Sequence, residues 1–196
     1  MIEFANNLEA MATDEIFNEI NKRFIGAMMM HNQMADYFSF LGLKGYKKIH
    51  EYQFFTESME RCKLNRYFIE HHNRLLKDSF DGTIKVIPES WYTANRLNVG
   101  KSTKQKAVED GFIEHHNWEK ETKGIYEKYA KQLRTNGNVT DAMFIECIAK
   151  DVSEELKEVE KMIADLISTG YDMVYVTESQ KELHDKYKRK LRGIKS

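Results

Sequence analysis

The sequence predicts an all-α protein built as a four-helix bundle with one long crossover and a short fifth helix. It contains a single proline, Pro88, and its few glycines are clustered, so long stretches lack residues that break helices. Apolar residues recur along these stretches at spacings of three and four, as they do on the buried face of a helix. The length of 196 residues predicts one domain over 1–196 with a core of its own.

The first helix is predicted over about 13–40. Thr13 followed by Asp14 and Glu15 is typical of a helix N-terminus, with a capping residue and acids in the first turn. The turn LGLKG separates this helix from a second one over about 45–77. A connection this short makes the two helices antiparallel neighbours.

The helical pattern is lost between about 78 and 104. This segment holds the only proline, several turn-forming residues and TIKVI, a short β-like run. A long connection within a compact domain is expected where the chain crosses the length of the fold. The second and third helices then run parallel, as in bundles with one crossover.

Three further helices complete the predicted bundle. The third covers about 105–133 and ends at the turn RTNGN, and the fourth covers about 140–169 and ends at Gly170, the expected C-terminal glycine. A short basic helix over about 177–192 follows a YDMVYV stretch. We expect its charges to be solvated at the chain end, so binding of nucleic acid is not predicted.

Composition excludes several classes of function. The formal net charge of −1 creates no overall field toward nucleic acid or a membrane surface. No apolar run approaches the about 20 residues that span a bilayer. The segment MIEFANNLEA lacks the basic and apolar regions of a signal peptide. Cys62 and Cys147 form no CxxC motif, which predicts reduced thiols in a cytoplasmic protein.

Acids and imidazoles interrupt the apolar faces of the predicted helices. Glu57, Glu60 and Glu155 fall on the inward faces of the second and fourth helices, and His31 and His115 on those of the first and third. An unpaired buried carboxylate destabilises the fold by several kcal/mol, and we predict no lysine or arginine on these faces to pair with the acids. Carboxylate with imidazole is a ligand set for a divalent or trivalent metal ion. The alternative is that these faces are misassigned by one position, with the glutamates at the solvent edge.

The hexapeptide FIEHHN occurs twice, at Phe68–Asn73 and at Phe112–Asn117. An acid beside two imidazoles is a candidate metal motif. The second copy places His115 on the inward face of the third helix. The first copy lies three to four turns beyond Glu57 and is interpreted as an ordinary helix end. We therefore interpret the identity of the two copies as largely coincidental.

The order, spacing and length of these segments resemble the ferritin family over most of the chain, and in particular the bacterial non-haem type. The resemblance rests on five segments: FNEINKRFIGAMMMHNQMADYF, LKGYKKIHEYQFFTESMERC, IPESW, FIEHHNWEKETKGIYEKYAKQL and FIECIAKDVSEELKEVEKMIADLISTG. It implies a ferritin-like four-helix bundle that oxidises Fe(II) at paired sites inside each subunit. Iron is then the expected metal.

The ferroxidase centre implied by this resemblance is diverged. The family has a glutamate on helix one, an ExxH on helix two, a glutamate on helix three and an acid or second ExxH on helix four. Here the first glutamate falls on Phe24, the ExxH becomes Glu57–Glu60, and the fourth-helix acid falls on Glu155. A tyrosine of the family falls on His31. The resemblance makes Glu57 the bridging ligand and the catalytic residue, with Glu60 in place of the histidine.

The ligand on the third helix stays open. The motif letters of the family select His116, whereas the amphipathic face selects His115, and counting back from the fourth helix gives Trp118 or its neighbour. We favour His115 because a ligand must be buried. The helix also carries acids that are expected at the surface or between subunits: Asp110, Glu114, Glu119 and Glu121.

The loss of the first acid predicts one competent metal position and a weakened or rearranged second, for which His31 and His115 are candidate substitutes. No haem is expected, because the haem-ligating methionine of the family would fall on Ser58. Asp151 and Glu154 stand where the family allows an accessory iron site, but we expect a solvated helix face there.

The predicted function is iron storage or detoxification by oxidation of Fe(II), in a large homo-oligomer that the resemblance makes a 24-subunit cage. The alternative is a non-catalytic ferritin-like subunit, with structural or zinc-binding acids and a role as scaffold or in mineral nucleation. A small ferritin-like DNA-protecting protein fits the length and the fifth helix less well. Storage ferritins are usually more acidic than this near-neutral chain.

Overall fold

The computed structural model describes residues 11–80, 82, 84, 87 and 91–195. These residues form five α-helices: α1 (Thr13–Phe40), α2 (Lys44–His72), α3 (Lys101–Thr135), α4 (Val139–Ser168) and α5 (Met173–Lys195). α1 packs along α2, α3 packs along α4, and α5 packs against α2. The predicted all-α bundle, with its long connection between the second and third helices, is confirmed. Most of TIKVI and of IPESW, and all of MIEFANNLEA, lie outside the described residues.

α2 ends at His72, five residues before the predicted end. Asn73 adopts a left-handed conformation with φ 53°, which asparagine tolerates better than most residues. The chain is then held by α1. The Lys77 amide donates to Asn18 Oδ1 at 2.7 Å, and Asn21 Nδ2 donates to the Lys77 carbonyl at 2.9 Å. These side-chain hydrogen bonds replace the helical ones, so the segment leaves α2.

Helix starts also differ from the predicted ones. α5 begins at Met173, because Asp172 Oδ1 accepts hydrogen bonds from the amides of Val174 at 2.8 Å and Tyr175 at 3.3 Å. The residue that caps α1 is Ala12 rather than Thr13, and its amide donates to the carboxylate of Glu15 at 2.9 Å. α3 begins at Lys101, four residues before its predicted start.

Within the described residues, no helix combines the length and the apolar composition that a membrane span requires. The two cysteines, Cys62 and Cys147, are both exposed and unpaired with each other.

Candidate metal centre

Two apolar clusters fill the bundle, and a layer of buried polar side chains separates them along the helices. One cluster includes Ile20, Phe24 and Tyr126, and the other includes Phe38 and Phe112. All four long helices contribute to the layer between the clusters. Its members are His31 from α1, His50, Gln53 and Glu57 from α2, His115 and Glu119 from α3, and Glu155 from α4.

Glu57, Glu119 and Glu155 form a carboxylate cluster. One oxygen of each lies within 4.8 Å of an oxygen of the other two. Glu57 is 8 % exposed and Glu119 is 1 % exposed, whereas Glu155 is partly exposed. Buried carboxylates this close repel one another, so protons or a cation must compensate their charge.

The carboxylate cluster holds protons when no cation is bound. Burial raises the pKa of Glu57 well above its ordinary value, and repulsion by Glu155 and Glu119 raises it further. Burial, with repulsion by Glu119 and Asp151, raises the pKa of Glu155 to about 8. Binding of a cation therefore displaces protons from these groups.

His31, His115 and Glu119 form a second group, called here the histidine cluster, which shares Glu119 with the carboxylate cluster. Glu119 Oε1 lies 3.4 Å from His115 Nε2 and 3.8 Å from His31 Nε2. His31 Nδ1 and His50 Nδ1 are hydrogen-bonded at 3.0 Å. Burial, with repulsion by His115, lowers the pKa of both His31 and His50 well below the ordinary value. Both imidazoles are therefore neutral at neutral pH, which is the form that binds metal ions.

The structure brings four of the predicted site residues into these clusters and leaves Glu60 and His116 outside them. The Glu60 side chain is 26 % exposed and pairs with Lys63. His116 is partly exposed and lies 3.5 Å from a carboxylate oxygen of Glu160. Glu60 still lies close enough for its repulsion to raise the pKa of Glu57 and of Glu155.

The expectation that Glu119 lies at the surface is wrong, since Glu119 belongs to both clusters. Its position four residues after His115 places it on the same helix face. Counting back from the fourth helix gives Trp118 or an unspecified neighbour, and Glu119 is one of the two neighbours. His50 was missed although it precedes Gln53 by three residues on α2. The spacing of Glu119 from His115 and of His50 from Gln53 can be read from the sequence. Spacing alone, however, does not distinguish a buried polar residue from one at the surface.

Near the layer, α1 has an apolar side chain at Phe24 and a positive charge at Arg23. Phe24 is 2 % exposed and packs in the apolar cluster against Tyr126, with ring centroids 6.0 Å apart, so this position supplies no carboxylate. Arg23 stacks on Trp118 at 3.6 Å and donates to Thr122 Oγ1 at 2.7 Å. Its charge lowers the pKa of Glu57 by less than burial and repulsion raise it. Arg23 is not one of the inward-facing positions of α1, on which no lysine or arginine is predicted, but it lies beside them and is partly buried.

An acidic cleft leads to the carboxylate cluster where α2, α4 and α5 meet. Its volume is about 280 Å³. Its charged lining residues are Glu60, Asp151, Glu154, Glu155, Glu158 and Lys190. Glu155 belongs to both the cleft and the carboxylate cluster, so it connects solvent with the buried acids. A cleft lined mostly by one sign of charge concentrates ions of the opposite sign, here cations.

A larger groove, of about 600 Å³, lies along α4 and α5 beside Tyr46 and Leu166. None of the residues of the two clusters lines it. The chemistry of the layer therefore points to the smaller acidic cleft as the approach to the candidate metal centre.

We predict that Glu155→Gln raises the free energy of unfolding of the metal-free protein at pH 8, by roughly 1–3 kcal/mol after solvent screening. The pKa of Glu155 rises from 4.5 in the unfolded chain to about 8 in the fold. Its contribution to stability is complete below about pH 4.5 and is lost as the pH rises through about 8. The lowered histidine pKa values act in the opposite sense, since their contribution is lost as the pH falls below 6.5.

Urea unfolding of the metal-free protein at pH 6.5 and at pH 8 tests this prediction. The wild type should be less stable at pH 8, and Glu155→Gln should reduce that difference. Glu154→Gln, at an exposed acid next to Glu155, is the matched control and should behave like the wild type. Equal stability of the wild type at both pH values would contradict the prediction.

Comparison with known proteins shows a similarity of fold without a similarity of sequence. No protein-family model and no curated protein sequence matches the chain. The chain is similar to an open-pore ferritin from the hyperthermophilic archaeon Archaeoglobus fulgidus, with a TM-score of 0.71 and 17 % identity over 89 % of this chain and 97 % of that one. It is also similar to a closed form of Archaeoglobus fulgidus ferritin engineered by site-directed mutagenesis. That match has a TM-score of 0.71 and 17 % identity, covering 89 % of this chain and 96 % of the other. The fold is therefore a ferritin-like helical bundle.

Proposed function

We propose that this chain binds Fe(II) at the carboxylate cluster and oxidises it there, as a step in iron storage or detoxification. The observation that carries the proposal is the buried cluster of Glu57, Glu119 and Glu155, open to solvent through an acidic cleft. Glutamates on facing helices are iron ligands in di-iron carboxylate bundles, and this cluster lies inside a bundle whose fold is similar to that of ferritins.

Each residue has a role in the proposed reaction. Glu155 receives Fe(II) from the cleft, and Glu57 and Glu119 hold it in the layer. Two Fe(II) ions supply the two electrons that reduce one O₂ to hydrogen peroxide with two protons, and both ions become Fe(III). The carboxylic acids of Glu57 and Glu155 release their protons when iron binds, which leaves charged ligands that favour Fe(III).

The same proposal extends to assembly and location. Ferritin-like subunits that store iron need an enclosed volume, so we propose a large homo-oligomer in the cytoplasm, with 24 subunits as the family resemblance implies. Gel filtration separates such a cage from a dimer or a monomer by size.

A non-catalytic subunit is the second candidate, and the position of Phe24 favours it. The family resemblance expects a carboxylate there, but the side chain is buried in an apolar cluster against Tyr126. With one ligand fewer, the bundle would bind a cation without supporting the transfer of two electrons to O₂.

Aerobic addition of Fe(II), followed by the ultraviolet absorbance of Fe(III), distinguishes the two candidates. We predict that the wild type oxidises Fe(II) faster than buffer, and that Glu57→Gln lowers this rate by about tenfold or more, since it removes the negative charge of a ligand. Glu70→Gln changes an exposed acid on the same helix and should keep the wild-type rate. A wild-type rate equal to that of buffer rejects the oxidase and leaves the non-catalytic subunit.

A further inference from the structure

We propose that the histidine cluster is a second metal position, formed by His31, His115 and Glu119, for a divalent ion that favours imidazole ligands, such as Zn²⁺ or Co²⁺. The inference goes beyond the proposed iron oxidation and does not require it. The two positions share Glu119, whose carboxylate can offer an oxygen to an ion in either cluster.

The distances in the histidine cluster fit ligand atoms around one ion. Two atoms bound at about 2.0–2.1 Å to a tetrahedral Zn²⁺ lie about 3.4 Å from each other. Glu119 Oε1 is 3.4 Å from His115 Nε2 and 3.8 Å from His31 Nε2. The second distance exceeds that of a hydrogen bond, so these two atoms do not satisfy each other directly.

Three atoms of the cluster have no hydrogen-bond partner among the described residues. They are His31 Nε2, His115 Nδ1 and Glu119 Oε1, and all three residues are at most 1 % exposed. A buried polar atom without a partner costs about 1–3 kcal/mol, so such atoms in a folded protein call for an explanation. A cation bound between His31 Nε2 and Glu119 Oε1 satisfies these two of the three atoms.

His50 holds His31 in the orientation that a ligand needs. Metal-binding histidines generally donate the N–H of their second ring nitrogen to a neighbouring acceptor, which fixes the tautomer. His31 Nδ1 lies 3.0 Å from His50 Nδ1, and His50 is itself stacked on Phe38 at 5.4 Å. With the proton on His31 Nδ1, the lone pair of His31 Nε2 faces Glu119.

Gln53 supplies a further oxygen next to the proposed ion. Its amide nitrogen lies 3.2 Å from His115 Nε2, and its Oε1 is buried without a partner. A half-turn of the amide exchanges these two atoms. Gln53 Oε1 then lies next to His115 Nε2, and both atoms can bind the same proposed ion.

Titration of the full-length, metal-free protein with Co²⁺ tests the proposal through the visible absorption of the ion. Co²⁺ bound with low coordination number to nitrogen and oxygen absorbs more strongly than hydrated Co²⁺. The expected result is a protein-dependent band that is lost in His115→Gln and retained in His116→Gln. These two histidines are adjacent on α3, but His116 lies outside both clusters.

Two further variants separate this position from the carboxylate cluster. Glu57→Gln should keep the Co²⁺ band, even if it abolishes oxidation of Fe(II). His50→Phe keeps the aromatic stack but removes the acceptor for His31, so it should weaken Co²⁺ binding by about 10–100-fold without abolishing it. A band that is lost in Glu57→Gln but unchanged in His115→Gln overturns the proposal.

A measurement on the wild type covers the case in which His115→Gln fails to fold. Crystals soaked in Co²⁺ should show an anomalous difference peak at the cobalt edge between His31, His115 and Glu119. Absence of that peak, or a peak at Glu57 and Glu155 alone, also overturns the proposal.

Discussion

Replacement of Glu119 with glutamine is expected to abolish tight metal binding in the layer, with an affinity loss of about 100-fold or more for Fe(II) and Co²⁺ alike. Glu119 is the one residue that both clusters share. Glutamine keeps the shape of the side chain but removes the negative charge that both ions need. The metal-free variant should be at least as stable as the wild type, because a buried carboxylate without a charged partner destabilises the fold.

Isothermal titration calorimetry under anaerobic conditions measures both affinities, and urea unfolding measures the stability. Glu114→Gln is the matched control, since Glu114 is an exposed acid on the same helix, five residues earlier. It should bind both ions as the wild type does. Wild-type affinity for both ions in Glu119→Gln would show that neither cluster is a metal site.

Phe24→Glu is expected to destabilise the metal-free protein by about 3 kcal/mol or more, and to make its stability depend on added metal. The new acid would lie in the apolar cluster against Tyr126. Tyr126 is close enough to Glu57 for the Glu57 charge to raise the pKa of Tyr126, in addition to the larger effect of burial. An unpaired charge there is costly. A cation between the new acid and Glu57 would offset that cost.

Thermal unfolding of Phe24→Glu with and without Fe(II) under anaerobic conditions measures this dependence. Phe24→Leu, which keeps an apolar side chain, should lose only about 1 kcal/mol and show the same metal response as the wild type. A Phe24→Glu protein that is as stable as the wild type without metal would mean that residue 24 has room to reach solvent. The interpretation of Phe24 as the filled ligand position would then be wrong.

Much of the bundle could be predicted because helical periodicity is a local property of the sequence. The stripe that contains Phe24 and His31 marks the buried face of α1, and the same pattern placed Glu57 and His115 inward. The caps were harder to predict. Asp172 starts α5 through its side chain, and Asn73 ends α2 in a left-handed conformation, so each boundary depends on one residue rather than on a repeated pattern.

The centre itself could be predicted only in part, since its geometry depends on contacts between helices. Glu119 is one of several acids on α3, and the sequence does not show which of them the neighbouring helices bury. Glu60 shares the spacing expected of a ligand, yet it pairs with Lys63 at the edge of the cleft. His50 lies on the same face of α2 as Gln53, but its hydrogen bond with His31 joins two helices and cannot be predicted from spacing along α2 alone.

The apolar interior is divided into two clusters, and the proposed metal site lies between them. Each end of the bundle keeps its own packing of aromatic and aliphatic side chains, with Phe17 and Phe68 at one end and Phe38 and Tyr46 at the other. We propose that Glu57 and Glu155, in the layer between the ends, carry protons before a metal ion binds and release them when it does. Uptake and release of metal would then be an exchange with hydrogen ions in the middle of the bundle, between two ends that are packed separately.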